Sequence, residues 1–304
     1  MPKTNIIKHK KAHTGNELFH FTNATFELVK WPFNSSDSPL DDKVFAIQTT
    51  RYSPQQAFPS PEKSPFDCFN LGQHVGDIPE QVNQNRDILK QFINQQLSTK
   101  QSRAFTKIMG AVQIQWLEQV HGNDVVTVST VNDKALIADA CITRNKNIAL
   151  AIMTADCLPI LLSHKDGIEV AAIHGGWRPL ALNIIANTIE KMHSEPDDIT
   201  AWIGPSIGKR TFEVGSEVKD TFIKLDSTFK CAFLKQDSSK QENPKQGEVK
   251  YLADLPMIAR LQLNSLGITK ISNLEECTYQ NTNKYYSYRK DKITGRMASV
   301  ICRR

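Results

Sequence analysis

The sequence predicts an α+β fold, with strands and helices mixed in a single domain. Six short aliphatic or β-branched runs lie between residues 111 and 175, separated by Asn, Asp, Gly or Lys clusters, which is typical of strands. Segments with helical spacing lie on both sides of these runs and do not alternate with them one for one, which disfavours a Rossmann or barrel topology. No internal repeat or linker interrupts the chain. We therefore expect a polar N-terminal extension over residues 1–25 and one catalytic domain over residues 26–304.

The first part of the predicted domain contains one strand and one helix. The run KVFAIQTTR indicates a strand that ends in Arg51. A loop with several prolines follows over residues 52–72, and it is long for a simple connection. Apolar residues recur at helical spacing over residues 78–97, which predicts a helix.

The central part is predicted to be six strands, of which the last two form a hairpin. Their turn, over residues 164–167, contains the Asp-Gly pair that favours tight hairpins. This hairpin would bring Cys157 and His174 close together. The six strands are predicted over residues 111–120, 124–130, 138–143, 147–154, 158–164 and 168–175.

The last part of the chain is predicted to add helices to this sheet region. Pro179 suits the first turn of a helix, and Gly267 suits a C-terminal cap. The polar run over residues 235–250 indicates a surface loop. The elements are predicted as helices over residues 178–193, 214–225 and 252–267, a strand over 199–204, and a terminal hairpin of 284–291 with 294–303.

Composition excludes several classes of protein. With 304 residues and 40% hydrophobic content the chain can bury a large core. The net charge of +5 is small and six of the positive charges lie at the chain ends, so we expect small anionic molecules rather than nucleic acid as partners. No apolar run reaches the about 18 residues of a membrane span. The six scattered cysteines and the absence of a secretory leader predict a reduced, cytoplasmic protein without membrane partners.

Three predicted strand ends carry residues that suit a metal site. His121, Cys157 and His174 each follow an apolar run, at the place where loops converge on clefts. Imidazole and thiolate are good zinc ligands, and three protein ligands leave a fourth position for water or substrate. Water bound there would become acidic enough to act as a nucleophile near neutral pH.

The residues alone leave alternatives open at these positions. An isolated cysteine is usually a small buried apolar group, and an isolated histidine usually only makes hydrogen bonds. Cys157 and His174 could also form a nucleophile pair without metal, oriented by Asp156 or Asp124. Asp156 would otherwise cap a turn.

Several motifs resemble the bacterial YfiH family, whose members carry the names laccase-domain protein, polyphenol oxidase, peptidoglycan editing factor and purine nucleoside phosphorylase. They include WLEQVHGNDV, MTADCLPILL, EVAAIHGGWRPLA, AWIGPSIG and YSYRKDKITGRMAS, in family order between Val44 and Cys302. The resemblance implies an α/β sandwich with mixed β-sheets flanked by helices. It also implies that His121, Cys157 and His174 bind zinc.

The resemblance extends to the residues expected to bind substrate, with departures at three positions. Gly175 and Pro179 differ from the family's HAGWRG, and Arg51 lacks the glycines that normally follow it. The matching motifs imply a substrate-binding set of Arg51, Asn70, His74 and Arg178, with Asp77, Asn85 and Arg86 also following the family pattern.

The family implies a zinc-dependent purine nucleoside phosphorylase that acts on adenosine, inosine and S-methyl-5′-thioadenosine and also deaminates adenosine. Cys157 and His174 would be the catalytic residues. Arginine binds phosphate oxygens in pairs, so the phosphate site is expected among Arg51, Arg178, Arg289 and Arg296. The H-x-E and P-C-x-x-C motifs of cytidine-type deaminases are absent, so deamination would use a different scaffold.

Three other functions compete with this one. A copper polyphenol oxidase is disfavoured because none of the eight histidines form an H-x-H pair, so copper is the weaker choice of metal. A cysteine-type amide hydrolase could edit muropeptide precursors, with Cys157 as nucleophile and His174 as base. A metal-binding interaction module would turn over no substrate.

Overall fold

The computed structural model describes residues 25–32, 40–54, 64–98, 111–236 and 249–304. Residues 1–24 of the predicted N-terminal extension lie outside these ranges, as do residues 55–63 of the proline-containing loop and residues 237–248 of the predicted surface loop. None of the described helices is long and apolar enough to cross a membrane.

Strands dominate the described residues, and five α-helices accompany them. The helices are α1 (Pro79–Leu97), α2 (Trp177–Ala181), α3 (Ile184–Lys191), α4 (Ser216–Leu225) and α5 (Leu255–Ser265). The strands are β1 (Phe26–Leu28), β2 (Val44–Thr49), β3 (Gln113–Gln115), β4 (Leu117–Glu118), β5 (Val125–Thr127), β6 (Leu136–Ile137), β7 (Ala140–Thr143), β8 (Ile148–Thr154), β9 (Leu158–His164), β10 (Val170–Gly175), β11 (Ile199–Ile203), β12 (Glu213–Gly215), β13 (Phe233–Lys235), β14 (Lys250–Ala253), β15 (Lys270–Asn273) and β16 (Met297–Arg303).

Two large mixed sheets form the centre of the fold. The five-stranded sheet has the order β1-β2-β16-β8-β3, in which only the β3–β8 pair is parallel. The six-stranded sheet has the order β15-β11-β9-β10-β7-β5, with parallel pairs at its two edges. Smaller sheets, β12-β14-β13 and β4-β6, lie outside these two.

The two large sheets pack face to face, and the alternation of side chains along β8 shows how. Ile148, Leu150 and Ile152 point to the inner core between the sheets, whereas Ala149 and Ala151 point to the outer core. Burial of each large aliphatic side chain contributes about 1.5–3 kcal/mol. Because both faces of β8 are covered, the strand is apolar from Ile148 to Met153 rather than alternating with polar residues.

Helices cover the outer face of each sheet. Helix α1 packs Leu89, Phe92 and Ile93 on the five-stranded sheet. Residues of α2, α3, α4 and α5 pack on the six-stranded sheet, among them Leu180 and Ile258. The layers therefore run helix, sheet, sheet, helix, which confirms the predicted α/β sandwich with mixed sheets.

Two predicted elements are each divided in the structure. The helix predicted over residues 178–193 is interrupted at Asn183, whose φ of 62° is left-handed, so that α2 and α3 are separate helices. The strand predicted over residues 111–120 is divided between β3 and β4, which belong to different sheets. The predicted helices over 214–225 and 252–267 begin later, at α4 and α5, because their first residues belong to β12 and β14.

The predicted terminal hairpin is wrong. Residues 284–291 form turns rather than a strand, and β16 pairs with β2 on one side and β8 on the other. Both edges of β16 are therefore occupied by strands distant in sequence. The hairpin of β9 and β10 is confirmed, as is the cap at Gly267, whose φ is 88° and whose N–H donates to the Asn264 carbonyl.

Candidate metal centre and active-site cleft

His121, Cys157 and His174 come together at one end of the six-stranded sheet. Cys157 immediately precedes β9, and His174 lies near the end of β10, where it is paired with Pro159. His121 lies in the turn after β4 with a φ of 60°. The hairpin register therefore sets the distance between two of the three residues, and the turn adds the third.

The three side chains are close enough to bind one metal ion. The Sγ atom of Cys157 is 3.8 Å from Nε2 of His121, and one ligand atom from each residue lies within 4.8 Å of the others. Zinc at about 2.0–2.3 Å from each ligand needs ligand separations of about 3.3–3.8 Å, so a small closure would complete the site. A Cβ atom at Gly176 would lie 3.2 Å from that Sγ, and its absence keeps this space open. The donor set and its spacing fit a metal.

Asp139 holds two of these residues in place. Nδ1 of His174 donates to its Oδ1 at 2.7 Å, which leaves Nε2 of that ring on the side of the other two groups. The backbone N–H groups of Val120, His121 and Gly122 donate to the same carboxylate at 3.2, 3.0 and 2.6 Å. Burial raises the pKa of Asp139, but its bonds to His174 and to these N–H groups outweigh burial and lower the pKa.

The predicted orienting residues have other partners. The side chain of Asp156 accepts hydrogen bonds from the Thr278 hydroxyl and from the Arg289 backbone N–H, each at 2.6 Å. It therefore ties the C-terminal segment to the loop before Cys157, and it contacts neither histidine of the cluster. Asp124 supplies only a backbone carbonyl, to the N–H groups at the start of β7. The prediction that either aspartate orients a histidine is corrected, because Asp139 is the residue that does so.

The cluster stabilises a thiolate. Burial by itself raises the pKa of Cys157, but the charge of His174 and a hydrogen bond with His121 lower it to about 6. Burial likewise lowers the pKa of His174, while the Cys157 thiolate and Asp139 raise it to about 9. The thiolate is the form of cysteine that binds metals and attacks electrophiles, so the site is prepared for either role.

A cleft of about 380 Å³ opens onto the cluster. Its lining contains two arginines and three histidines and no carboxylate. Such a cleft attracts anions. The lining residues are His74, Gln119, His121, Met153, Thr154, Ala155, Cys157, His174, Arg178, Tyr288 and Arg296.

The cleft includes some of the predicted substrate-binding residues and not others. His74 and Arg178 line it, as does Arg296, whereas Arg51 and Asn70 do not. The Arg51 guanidinium donates to the backbone carbonyls of Asp67 and Thr282 and so joins two loops.

Asn70 and Arg289 also lie outside the cleft, with structural contacts of their own. Asn70 is fully buried, and its Oδ1 accepts from the backbone N–H groups of Gly72 and Arg296. Arg289 donates to the Glu213 carbonyl. The cleft residues that sequence reasoning did not identify are Gln119, Met153, Thr154, Ala155 and Tyr288.

The fold and the cluster define a class of α/β sandwich proteins in which a His-Cys-His group is able to hold a metal beside a cationic cleft. Over residues 59–304 the chain matches the model of the family described as multi-copper polyphenol oxidoreductase laccase, and it belongs to that family. Two relatives carry the name YfiH, which confirms the resemblance seen in the motifs.

The most similar relatives include three bacterial proteins named for one activity. The chain is 39% identical over 263 residues to purine nucleoside phosphorylase YfiH of Shigella flexneri, covering 86% of this chain and 95% of the relative. It is 39% identical over 237 residues to the protein of that name from Escherichia coli K12, covering 78% and 87%. Purine nucleoside phosphorylase PA4543 of Pseudomonas aeruginosa is 35% identical over 265 residues, covering 87% and 96%.

Solved structures share the same fold. Neisseria meningitidis protein NMB0706 matches with a TM-score of 0.74 at 33% identity, covering 92% of this chain and 99% of that one. Bacillus licheniformis YfiH matches with a TM-score of 0.67 at 26% identity, covering 85% and 92%.

Proposed function

We propose that this protein is a zinc-dependent purine nucleoside phosphorylase that acts on adenosine, inosine and S-methyl-5′-thioadenosine and also deaminates adenosine. The observation that carries the proposal is the cationic cleft, free of lining carboxylates, that opens onto the His-Cys-His cluster. Relatives up to 39% identical that carry the phosphorylase name support it. A phosphorylase needs both an anion site and a purine site, and the cleft is large enough for a nucleoside.

His121, Cys157 and His174 would hold the zinc ion. When bound, the metal supplies a Lewis acid and an acidic water at its open position. Copper also accepts a His₂Cys set. We favour zinc because multi-copper chemistry needs several metal sites, whereas the described residues contain one group of three or more potential ligands.

The protein's own residues would bind and orient the substrates. Arg178 and Arg296 would neutralise phosphate, and the side chains of Tyr288 and Met153 offer apolar surface to the purine. In phosphorolysis an oxygen of phosphate forms a bond to C1′ of the ribose while the C1′–N9 bond breaks. The purine leaves with the bonding electrons and takes up a proton, which gives free base and ribose 1-phosphate. In deamination, water replaces the 6-amino group of adenosine, which leaves as ammonia.

A second candidate is the cysteine-type amide hydrolase acting on muropeptide precursors. Its support is the chain of contacts from Asp139 to His174 to Cys157, with a thiol pKa of about 6, which is the arrangement of an activated thiol nucleophile. In that reaction the thiolate attacks the amide carbon, the amine leaves with a proton from His174, and water then hydrolyses the thioester.

One experiment separates these functions. The purified protein is analysed for metal and then incubated with adenosine, with and without phosphate. We expect about one zinc per chain, adenine and ribose 1-phosphate only with phosphate, and inosine without it. Cys157→Ala should abolish both reactions and zinc binding, whereas Cys231→Ala, at an exposed free cysteine, should leave them unchanged.

Other results would support a different function. Full activity in Cys157→Ala would contradict the role of that residue. Hydrolysis of amides that survives chelation and stops on thiol alkylation would support the second candidate. Oxidation of phenols that requires copper, without nucleoside turnover, would indicate a laccase. A bound metal with no turnover of any of these substrates would indicate a binding module.

We also propose that residues 26–304 form one catalytic domain and that the protein works in the cytoplasm. Both sides of the cleft come from sheets that share one inner core. All six cysteines are free thiols in the structure, which suits a reducing compartment.

A further inference from the structure

Thr154, at the end of β8, has a buried hydroxyl without a partner. The residue is 2% exposed, and its Oγ1 makes no hydrogen bond within the described part of the chain. It also lines the cleft. Buried hydroxyl groups are nearly always paired, because an unpaired one costs free energy. An unpaired hydroxyl on a residue that lines the cleft is a candidate donor to a ligand there.

Arg296, directly before β16, is held with part of its guanidinium free. Its backbone N–H donates to Oδ1 of Asn70, and its side-chain stem packs so closely on Gly72 that a Cβ there would lie 2.8 Å from Cγ. Nη1 donates to the carbonyls of Thr294 and Gly295. Nε and Nη2 find no acceptor among the described residues, so two parallel donors remain for a ligand.

Arg86 and His74 lie near Arg296, and Asp156 and Glu118 are carboxylates close enough to offset part of the positive charge in this region. His74 lines the same cleft and lies close enough to Arg296 and Arg86 to be affected by both charges. Arg86 stacks on Trp116 and donates to the Leu71 carbonyl, and it pairs with no carboxylate of the described residues. Burial, Arg296 and Arg86 lower the pKa of His74, and the opposing effect of Glu118 is the smallest of the four.

The two sheets contribute different chemistry to the cleft. Cys157 and His174 belong to the β9–β10 hairpin of the six-stranded sheet. Thr154 is the last residue of β8, and Arg296 directly precedes β16. Both strands belong to the five-stranded sheet. A substrate in the cleft would therefore meet the candidate metal ligands on one side and the free donors of Arg296 and Thr154 on the other.

We propose that Arg296 and Thr154 form an oxyanion subsite that binds the phosphate co-substrate on the five-stranded side of the cleft, which His74 also lines. This inference rests on the proposed phosphorylase function. Nε and Nη2 of Arg296 donate in parallel to two phosphate oxygens, and the Thr154 hydroxyl donates to a third. Arg51 and Arg289 take no part because both lie outside the cleft, and Arg178 adds its positive charge from helix α2.

The test is direct titration of inorganic phosphate into the zinc-loaded protein, followed by calorimetry. We expect Arg296→Gln to weaken phosphate binding about tenfold or more, because a charged bidentate contact is lost. Thr154→Val, which keeps the shape, should weaken it about threefold to tenfold, and Thr154→Ser should restore it. Arg289→Gln removes a cation outside the cleft and should change nothing.

Zinc content and the thermal midpoint establish that each variant is folded. Wild-type phosphate affinity in Arg296→Gln, or a loss of phosphate binding only in Cys157→Ala, would overturn the subsite. A protein that binds phosphate through Arg296 and Thr154 but does not cleave inosine would refute the phosphorylase and leave the subsite standing. Phosphorolysis with an unchanged KM for phosphate in Arg296→Gln would support the phosphorylase and refute the subsite.

Discussion

The β9–β10 hairpin carries a buried histidine near each end, and the two histidines differ in the distance and the exposure of their aspartate partners. At the turn, His164 lies 3.9 Å from Asp166 and 3.7 Å from Asp198, both of them solvent-accessible carboxylates. At the opposite end, His174 lies 2.7 Å from Asp139, with both side chains almost completely buried. The same residue types in the same hairpin therefore give a loose surface contact and a tight internal one.

The difference shows what makes a histidine suitable as a metal ligand. Nδ1 of His164 accepts the backbone N–H of Asp166, so that ring nitrogen is used within the turn itself. Nδ1 of His174 is bonded to a carboxylate instead, which aims Nε2 at the cluster and fixes which nitrogen carries the proton. Both rings are buried, so the two positions differ in the burial of the carboxylate partner and in the ring nitrogen that is left free.

Replacing each histidine by alanine should give the largest difference in zinc affinity between the two positions. We expect His174→Ala to weaken zinc binding more than about 100-fold, because a ligand is lost, whereas His164→Ala should leave zinc affinity unchanged. Competition with a chromogenic chelator measures both. Equal affinities in the two variants would exclude His174 as a ligand.

Replacing the aspartates should give the next largest effect. Asp139→Asn keeps the shape but places an amide against His174 and three backbone donors, so we expect about 10–100-fold weaker zinc binding and a loss of about 3 kcal/mol in the free energy of unfolding. Asp198→Asn, at the turn, should change neither quantity measurably. Chelator competition and urea unfolding measure the two quantities. A stable Asp139→Asn protein with normal zinc affinity would show that the carboxylate does not position the cluster.

Alanine at either of two glycines near the ends of the hairpin should have a smaller effect. One substitution should weaken zinc binding and the other should lower stability. In Gly176→Ala the new methyl lies 3.2 Å from Sγ of Cys157, so zinc binding should weaken about threefold while stability changes little. Gly167 has a φ of 63° and its Cβ would lie 2.7 Å from Cβ of Lys43. Gly167→Ala should therefore cost about 1–2 kcal/mol of stability and leave zinc binding unchanged. If both variants changed the same quantity, the two ends would not be independent.

Local patterns predicted much of the site. The apolar runs of β8, β9 and β10 and the Asp-Gly turn predicted the hairpin, and the hairpin register accounts for the proximity of Cys157 and His174. The position of His121 after an apolar run made it a candidate ligand, but only the family resemblance placed it with Cys157 and His174. Its left-handed backbone conformation and its contact with Cys157, 36 residues away, depend on how the turn after β4 folds onto the hairpin.

The remaining features depend on contacts that are distant in sequence. Asp139 lies 35 positions from His174, and nothing in the residues around it indicates that partner. The guanidinium of Arg51 donates to a carbonyl 231 positions away, a contact that its sequence motif does not indicate. The predicted terminal hairpin was wrong for the same reason. Local turn residues cannot reveal that β2 and β8 occupy the two edges of β16.

The central place of β16 also has a kinetic consequence. Gln48 and Ser299, which are hydrogen-bonded across β2 and β16, are 251 positions apart, so the five-stranded sheet closes only when the two halves of the chain meet. Contacts of such long sequence separation slow folding. Arg296 reaches the cleft only after that closure, because it directly precedes β16. We therefore expect the ligand-binding surface to be among the last parts of the protein to form, once the C-terminal strand has been synthesised and has paired with β2 and β8.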